Sequence, residues 1–336
     1  MVSQAAPLPQ PIAAIAWDGF QARTQALASI LGGSAWYIRP RRNLRAVLPL
    51  RYAVDALRTW RLLEAEQPRA VVVVTPPVFA PLTAWLWATS HRRPLVVDCH
   101  TGAFHGLKWR WARLAHRLLF RGATAVLVHT EADEELVTSW HAPGFLLPDD
   151  VPDAGRASIP DRSHAPRVVI AGSFDANEPV AAVLAAASRL PGVEFRLTGD
   201  VRRLPAALRH RAPANVTFTG WLAYPQFLGE LCAADAVGVF STDPHIMNRA
   251  AFEAVGLGRP LVLSDLAGLR RRFGEAALMS PNDPAGMAAA IQRALLERDR
   301  LEQKSAELGP RLRDQHERGL ARLRKLLGGS VPAEVA

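Results

Sequence analysis

The sequence predicts an α/β protein made of two parallel-sheet units in tandem, and three observations predict it. Short apolar, β-branched runs alternate with helical patterns from residue 12 onward, the alternation breaks once over a polar, proline-rich stretch, and it then resumes. The 336 residues suffice for two domains, each able to bury its own core.

In the first half the strand candidates are Ile12 to Trp17, Ala35 to Ile38, Ala70 to Thr75, Leu95 to Asp98 and Ala125 to His129. Helical patterns over 22–31, 50–66, 80–90, 107–121 and 131–140 separate them. Pro148 to Arg167 holds four prolines and no apolar periodicity, so residues 151–166 read as a linker between domains 1–150 and 167–298. Beyond it, strands are expected at Val168 to Ala171, Glu194 to Thr198, Val216 to Thr219, Ala236 to Phe240, Pro260 to Leu263 and Ala277 to Met279. Residues 299–336, rich in Arg, Glu and Leu, are expected to form a helix that crosses back toward the first domain. The expected architecture is therefore two Rossmann-like domains whose sheets face each other across a cleft. Ligands of such sheets bind beyond the carboxyl ends of the strands.

The formal net charge of +9 is unevenly spread, because residues 39–121 carry fifteen basic and four acidic side chains. Such a region suits an anionic ligand or surface. Only Cys99 and Cys232 are present, far apart, which argues against a disulfide framework or a zinc site and suits a reducing compartment. Residues 1–17 carry no basic side chain and include Pro7, Pro9 and Pro11, unlike a secretory signal, so a cytoplasmic protein is expected. Ala70 to Ser90 is uncharged, but Pro76, Pro77 and Pro81 make it a buried strand, a loop and a helix rather than a membrane span.

Phosphate-binding G-x-x-x-x-G-K-[ST], dinucleotide G-x-G-x-x-G, H-E-x-x-H and G-x-S-x-G patterns are all missing, as is an Asp-x-Asp pair. The most informative stretch is FSTDPHIMNRAAFEAVGLGRPLVLSD, residues 240–265. A strand ends near Phe240, and a helix is expected from about Met247 to the glycines at 256 and 258. Amides of Met247, Asn248 and Arg249, the helix dipole and the Arg249 guanidinium together suit a diphosphate. Glu253, one turn later, suits ribose hydroxyls. An Arg249–Glu253 ion pair on an ordinary helix accounts for the same residues.

This stretch resembles the E-A-x-x-x-G-x-P-V-V-x-(S/T)-D segment of the GT-B glycosyltransferases, in particular the retaining family 4 group. "RVVIAGSF", "NVTFTGWL" and "LAGLRRRFGEAALMSPNDPAGMAAAI" are similar to other elements of that family's donor domain. The resemblance implies a hexosyltransferase that moves a sugar from a nucleotide diphosphate sugar to an acceptor hydroxyl, with retention, without metal and without a further cofactor. It implies a glycan or lipid-linked acceptor in polysaccharide or glycolipid biosynthesis. Glu253 then binds the donor ribose as the second of two family glutamates, the first falling on His245 with Asp243 beside it. The family's diphosphate-binding Arg and Lys, in the loop after Gly172, fall on Ser173 and Glu178. Arg249 is the substitute cation, with Arg202 or Arg203 after "LTGD" a weaker one, and Asp200 joins the donor set. His100, in "VVDCHTGAF", matches the acceptor-domain histidine that orients the transferred sugar, and Gly19, in "AWDGF", matches the first loop.

On a 100° helical plot of residues 107–121, Leu107, Trp111, Leu114 and Leu118 form a stripe expected to face the core. Arg110, Arg113, Arg117 and Arg121 form a second stripe, bordered by Trp109 and Phe120, which suits an anionic membrane surface. The basic run at 39–45 adds to it, and peripheral binding at the cytoplasmic leaflet is expected. No nucleic-acid motif accompanies the charge. A non-catalytic nucleotide-sugar-binding partner of another transferase, a nucleotide-sugar epimerase and a polyanion-binding protein remain the alternatives.

Overall fold

The computed structural model describes residues 11–38, 48–152 and 165–328. The basic run 39–45 and most of the expected linker, residues 153–164, lie outside the described residues. The chain divides into two compact units, one of residues 1–148 with 318–336 and the other of residues 149–317.

The first unit has strands β1 (Ile12–Ala16), β2 (Gly33–Tyr37), β3 (Ala70–Thr75), β4 (Leu95–Cys99), β5 (Ala125–Val128) and β6 (Gly144–Leu146). Its helices are α1 (Ala22–Ile30), α2 (Leu48–Glu66), α3 (Phe79–Ser90), α4 (Thr101–Phe104), α5 (Arg113–Arg121) and α6 (Glu131–Ser139). The second unit has strands β7 (Arg167–Ile170), β8 (Glu194–Thr198), β9 (Val216–Gly220), β10 (Ala236–Val239), β11 (Leu261–Ser264) and β12 (Ala277–Ser280). Around them lie α7 (Val180–Ala187), α8 (Ala206–His210), α9 (Tyr224–Cys232), α10 (Arg249–Gly256), α11 (Ala267–Phe273) and α12 (Pro284–Leu296), followed by α13 (Arg298–Leu326).

Each unit holds one six-stranded sheet, in the orders β2-β1-β3-β4-β5-β6 and β12-β11-β10-β7-β8-β9, and every pairing is parallel. The central strands are buried on both faces, which is why they read as runs such as AVVVVT in β3. Edge strands β2 and β9 are half-exposed and mixed in composition. Strand order reverses between β1 and β3 and again between β7 and β10. Such reversal points open crevices at the carboxyl ends of the strands.

Helix starts follow local chemistry. Thr130 caps α6 by accepting from Asp133 N, and Glu131, Asp133 and Glu134 sit in its first turn, at the positive end of the dipole. Asp283 caps α12 just before Pro284, whose missing N–H costs nothing there. In the first unit, α3, α5 and α6 bury their apolar sides on one sheet face, with Leu63 of α2 beside them. The other face is covered by Leu27 and Ala28 of α1 and by Leu320, Leu323 and Leu327 near the chain's end. α13 thus begins in the second unit, where Leu301 and Leu312 are buried, and from Arg318 onward belongs to the first.

β6 has no counterpart among the expected strands. The helix expected over 107–121 is two pieces, a 3-10 segment from Leu107 to Ala112 and then α5. Ala70 to Ser90 forms β3, a loop and α3, and among the described residues no helix is long and apolar enough to cross a membrane.

Candidate active site

In the second unit the reversal point lies between β7 and β10, and the loops that leave these strands are tied together. Asn177 Nδ2 donates to Ser241 Oγ at 3.0 Å, while Thr242 N and Oγ1 both donate to the Asn177 carbonyl, at 2.7 and 3.1 Å. The β7 loop turns through Phe174, whose φ of 58° lies in the left-handed region. There the N–H groups of Ser173 and Phe174 converge on one carboxylate, Glu178, at 2.8–3.1 Å. Convergent amides of this kind hold anions. Burial raises the Glu178 carboxyl above its usual range, with the two amides working against the rise. Gly199, at φ +129°, closes the same hollow from β8; a Cβ there would lie 2.9 Å from the Gly172 carbonyl and 3.0 Å from the Phe174 ring.

The β10 loop leads into α10. Asn248, not Met247, is the residue before the first helical turn, and its Oδ1 accepts from Ala250 N at 3.0 Å. Ala251 N donates to the Asn248 carbonyl. The helix end is therefore capped by its own chain at Ala250 and Ala251, the amides just beyond those of Met247, Asn248 and Arg249 for which an anion-receiving role is expected. The Met247 side chain is buried in the core. Arg249 is engaged within its own helix, its Nε donating to Glu253 Oε1 at 2.9 Å. Its Nη2 lies 3.5 Å from the Tyr224 hydroxyl, and its guanidinium sits over the Tyr224 ring at 5.7 Å. Glu253 is only 3% exposed. Burial raises its carboxyl, and the Arg249 bond and charge oppose the rise. The ion-pair reading of these two residues holds, as a buried cluster rather than a surface pair.

The other donor-side residues are placed as follows. Asp243 accepts from His245 N at 3.0 Å, which shapes the loop and leaves the His245 side chain exposed. Asp200 is engaged by Arg202, whose Nε lies 2.8 Å away, and the side-chain and backbone bonds from Arg202 pull its carboxyl down to about 2. Gly172 N donates to Thr198 Oγ1 at 3.2 Å.

In the first unit, His100 follows β4, and its N–H donates to the Thr75 carbonyl at the end of β3. Its Nε2 lies 3.9 Å from Oδ2 of Asp98, a fully buried carboxylate that accepts from Arg23 Nε at 3.1 and 3.2 Å. Burial pushes the Asp98 carboxyl up, but Arg23, His100 and His129 outweigh it and hold the group below its usual range. The His129 ring stands 5.4 Å from that of His100. Gly19 follows β1, and its N–H donates to the Asp18 carboxylate.

Two family descriptions match the chain: "Glycosyl transferase 4-like domain" over residues 15–145 and "Glycosyl transferases group 1" over residues 165–297. The chain belongs to the GT-B glycosyltransferases. Solved structures agree on the fold. Sucrose-phosphate synthase from Thermosynechococcus elongatus superposes with a TM-score of 0.75 at 16% identity, covering 94% of this chain and 98% of its own. HepE from Anabaena, solved with UDP and glucose, gives 0.70 at 15%, covering 91% and 89%. A UDP-forming α,α-trehalose-phosphate synthase from Burkholderia vietnamiensis gives 0.65 at 15%, covering 86% and 80%. Comparison with curated proteins finds no match.

Sequence reasoning about this glycosyltransferase missed Arg23, Asn177 and Tyr224, whose partners lie 75, 64 and 25 residues away. It also turned the 107–121 segment the wrong way. Trp109 and Phe120 are 7% and 0% exposed, whereas Trp111, Leu114 and Leu118 are 64%, 68% and 58% exposed. α5 packs instead through His116, Leu119 and Phe120. Arg110, Arg113, Arg117 and Arg121 are exposed, as expected.

Proposed function

We propose that this glycosyltransferase takes its sugar from a nucleoside diphosphate sugar and passes it to a hydroxyl of a glycan or lipid-linked acceptor, in polysaccharide or glycolipid biosynthesis. The carrying observation is the pair of loops after β7 and β10, stitched through Asn177 at the reversal point of the second sheet and presenting two convergent amides. In this reading the donor diphosphate takes the Ser173 and Phe174 amides and displaces the Glu178 carboxylate. Negative charge grows on the leaving diphosphate as the sugar gains oxocarbenium character, and fixed amide dipoles aimed at that charge lower the barrier. The amides rather than a metal carry that charge. Glu253, beside the Arg249 guanidinium, receives the ribose hydroxyls. The acceptor side is the carboxyl edge of the first sheet, where Asp98 orients His100 to bond a sugar hydroxyl. The anomeric configuration is retained by attack on the face the leaving group departs. The protein works at the cytoplasmic face of a membrane.

The test incubates the full chain with UDP-glucose, UDP-N-acetylglucosamine and GDP-mannose and measures nucleoside diphosphate release together with ligand-induced thermal shifts. One donor is expected to shift the melting temperature and to be turned over. Saturable binding with no release points to a non-catalytic partner of another transferase, and conversion of the sugar without any acceptor points to an epimerase. Either outcome, or no binding at all, overturns the transferase reading.

A further inference from the structure

Three of the segments that cover one sheet face of the first unit, α2, α3 and residues 107–121, expose large apolar side chains on the side turned away from the sheet. α3 contains no charged residue, and its outward positions Leu82 and Leu86, one turn apart, are exposed. A helix apolar all round is ordinarily buried on every side. α2 buries two polar side chains, Asp55 and Thr59, beside Leu63, with Thr59 accepting from Trp17 Nε1 at 2.8 Å. Its exposed positions include Leu50, Val54 and Leu57, at i, i+4 and i+7. The third contribution is Trp111 with Leu114 and Leu118 of α5. The three elements adjoin, since the Phe79 ring of α3 stands 4.7 Å from Tyr52 of α2 and 6.0 Å from Trp111. Eight of the thirteen exposed large hydrophobic side chains among the described residues lie here. That is a concentrated patch rather than the scattered apolar exposure of an ordinary surface.

Charge selects the occupant. Residues 107–121 carry five cations and no acid, and exposed Arg58 and Arg61 lie along α2, whose exposed acids Glu64 and Glu66 are confined to its last turn. A second copy of the chain on this face would bring like charges together, and a neutral protein partner would leave the cations unmatched. An anionic bilayer satisfies both features, taking Trp111 and the leucines at the headgroup–acyl boundary and the guanidiniums at the phosphates. We infer that the outward side of α2, α3 and residues 107–121 is a monotopic membrane-docking face that seats in an anionic lipid leaflet. This deepens the membrane part of the function proposed above and is independent of the transfer chemistry.

The test is co-sedimentation of the full chain, without donor, with phosphatidylcholine vesicles that contain or lack phosphatidylglycerol, at low and high salt. At least tenfold stronger partitioning to the anionic vesicles is expected, with Trp111 emission quenched by brominated lipid and that quenching lost in Trp111→Phe. Leu114→Ser with Leu118→Ser should weaken binding tenfold or more. Arg113→Gln with Arg117→Gln should weaken it and flatten the salt dependence. All four positions are exposed, and circular dichroism and melting temperature check the fold; Leu82→Ser with Leu86→Ser serves as the second apolar pair should the first unfold. Three results overturn the inference: no preference for anionic vesicles, undiminished binding by folded leucine variants, or a vesicle-independent dimer that those variants dissolve. Because no donor is present, failure here leaves the transfer reading standing, and failure of donor turnover leaves this one standing.

Discussion

Glu178→Gln separates the amides at the β7 loop from the charge that fills them. The carboxylate accepts from Ser173 N at 2.9 and 3.1 Å and from Phe174 N at 2.8 Å. Hydrogen bonds to a charged group are worth about 1.5–3 kcal/mol each and neutral ones about 0.5–1.5. A glutamine oxygen in the same place thus holds the two amides less tightly by about 2–3 kcal/mol. A phosphate entering beside the glutamine also escapes a like charge, worth about 4 kcal/mol at 4 Å in a medium of effective dielectric 20 and less where water screens it. With every ~1.4 kcal/mol counting as tenfold in affinity, the loosened amides alone should make the variant bind UDP about thirty to a hundred times more tightly than the parent, and relief of the like charge adds to that. Isothermal titration calorimetry at pH 7.5 measures this directly. The raised Glu178 carboxyl adds a signature: it takes up a proton at higher pH than an ordinary glutamate, so the parent should gain affinity relative to the variant as pH falls. Equal or weaker UDP binding by Glu178→Gln, with parallel pH profiles, would refute the assignment of these amides to the diphosphate.

Two further outcomes follow from buried titratable groups. Arg249→Ala strands the buried Glu253 carboxylate beside Asp149 and should cost about 3–5 kcal/mol of unfolding free energy. Adding Glu253→Gln should recover much of that loss in a urea-denaturation cycle, whereas strict additivity would mean that the two side chains do not interact. Burial lowers the His116 imidazole to about 4, so the folded protein resists a proton that the unfolded chain accepts at about 6.5. Stability should therefore fall by about 3 kcal/mol between pH 7 and pH 4 through this group alone. His116→Gln, which retains a partner for Thr75 Oγ1, should remove that increment, and an unchanged pH slope in the variant would contradict the burial argument.

The strands were legible because a strand buried on both faces can hardly be anything but a β-branched run, as β3 and β4 show. β6 was not, since three residues give no periodicity to read. In the donor-side loops, resemblance marked Ser173, Glu178 and Glu253 as positions of interest. It could not show that Glu178 folds back onto the amides of Ser173 and Phe174, because that depends on a left-handed turn at Phe174 that no local pattern announces. Asn248 as a cap was open to inference, being an asparagine just before an apolar helical run. The 107–121 segment misled because α5 carries apolar side chains on two sides, and the rings of Phe104 and Trp140 packed around Phe120 mark the side that faces inward.

The division of α13 has a consequence for synthesis on the ribosome. Leu320, Leu323 and Leu327 cover one face of the sheet that begins with β1, Arg324 donates to the Ile30 carbonyl, and the Leu327 carbonyl accepts from Arg69. Of the two units, the one that emerges earlier is thus completed later. Its strands must wait, with an oily flank uncovered, until the last turns of α13 have been translated, while residues 149–317 can complete their own core in the meantime. A fragment stopped at Pro148 should be sticky for the same reason, and a separate peptide spanning residues 318–328 should restore its solubility.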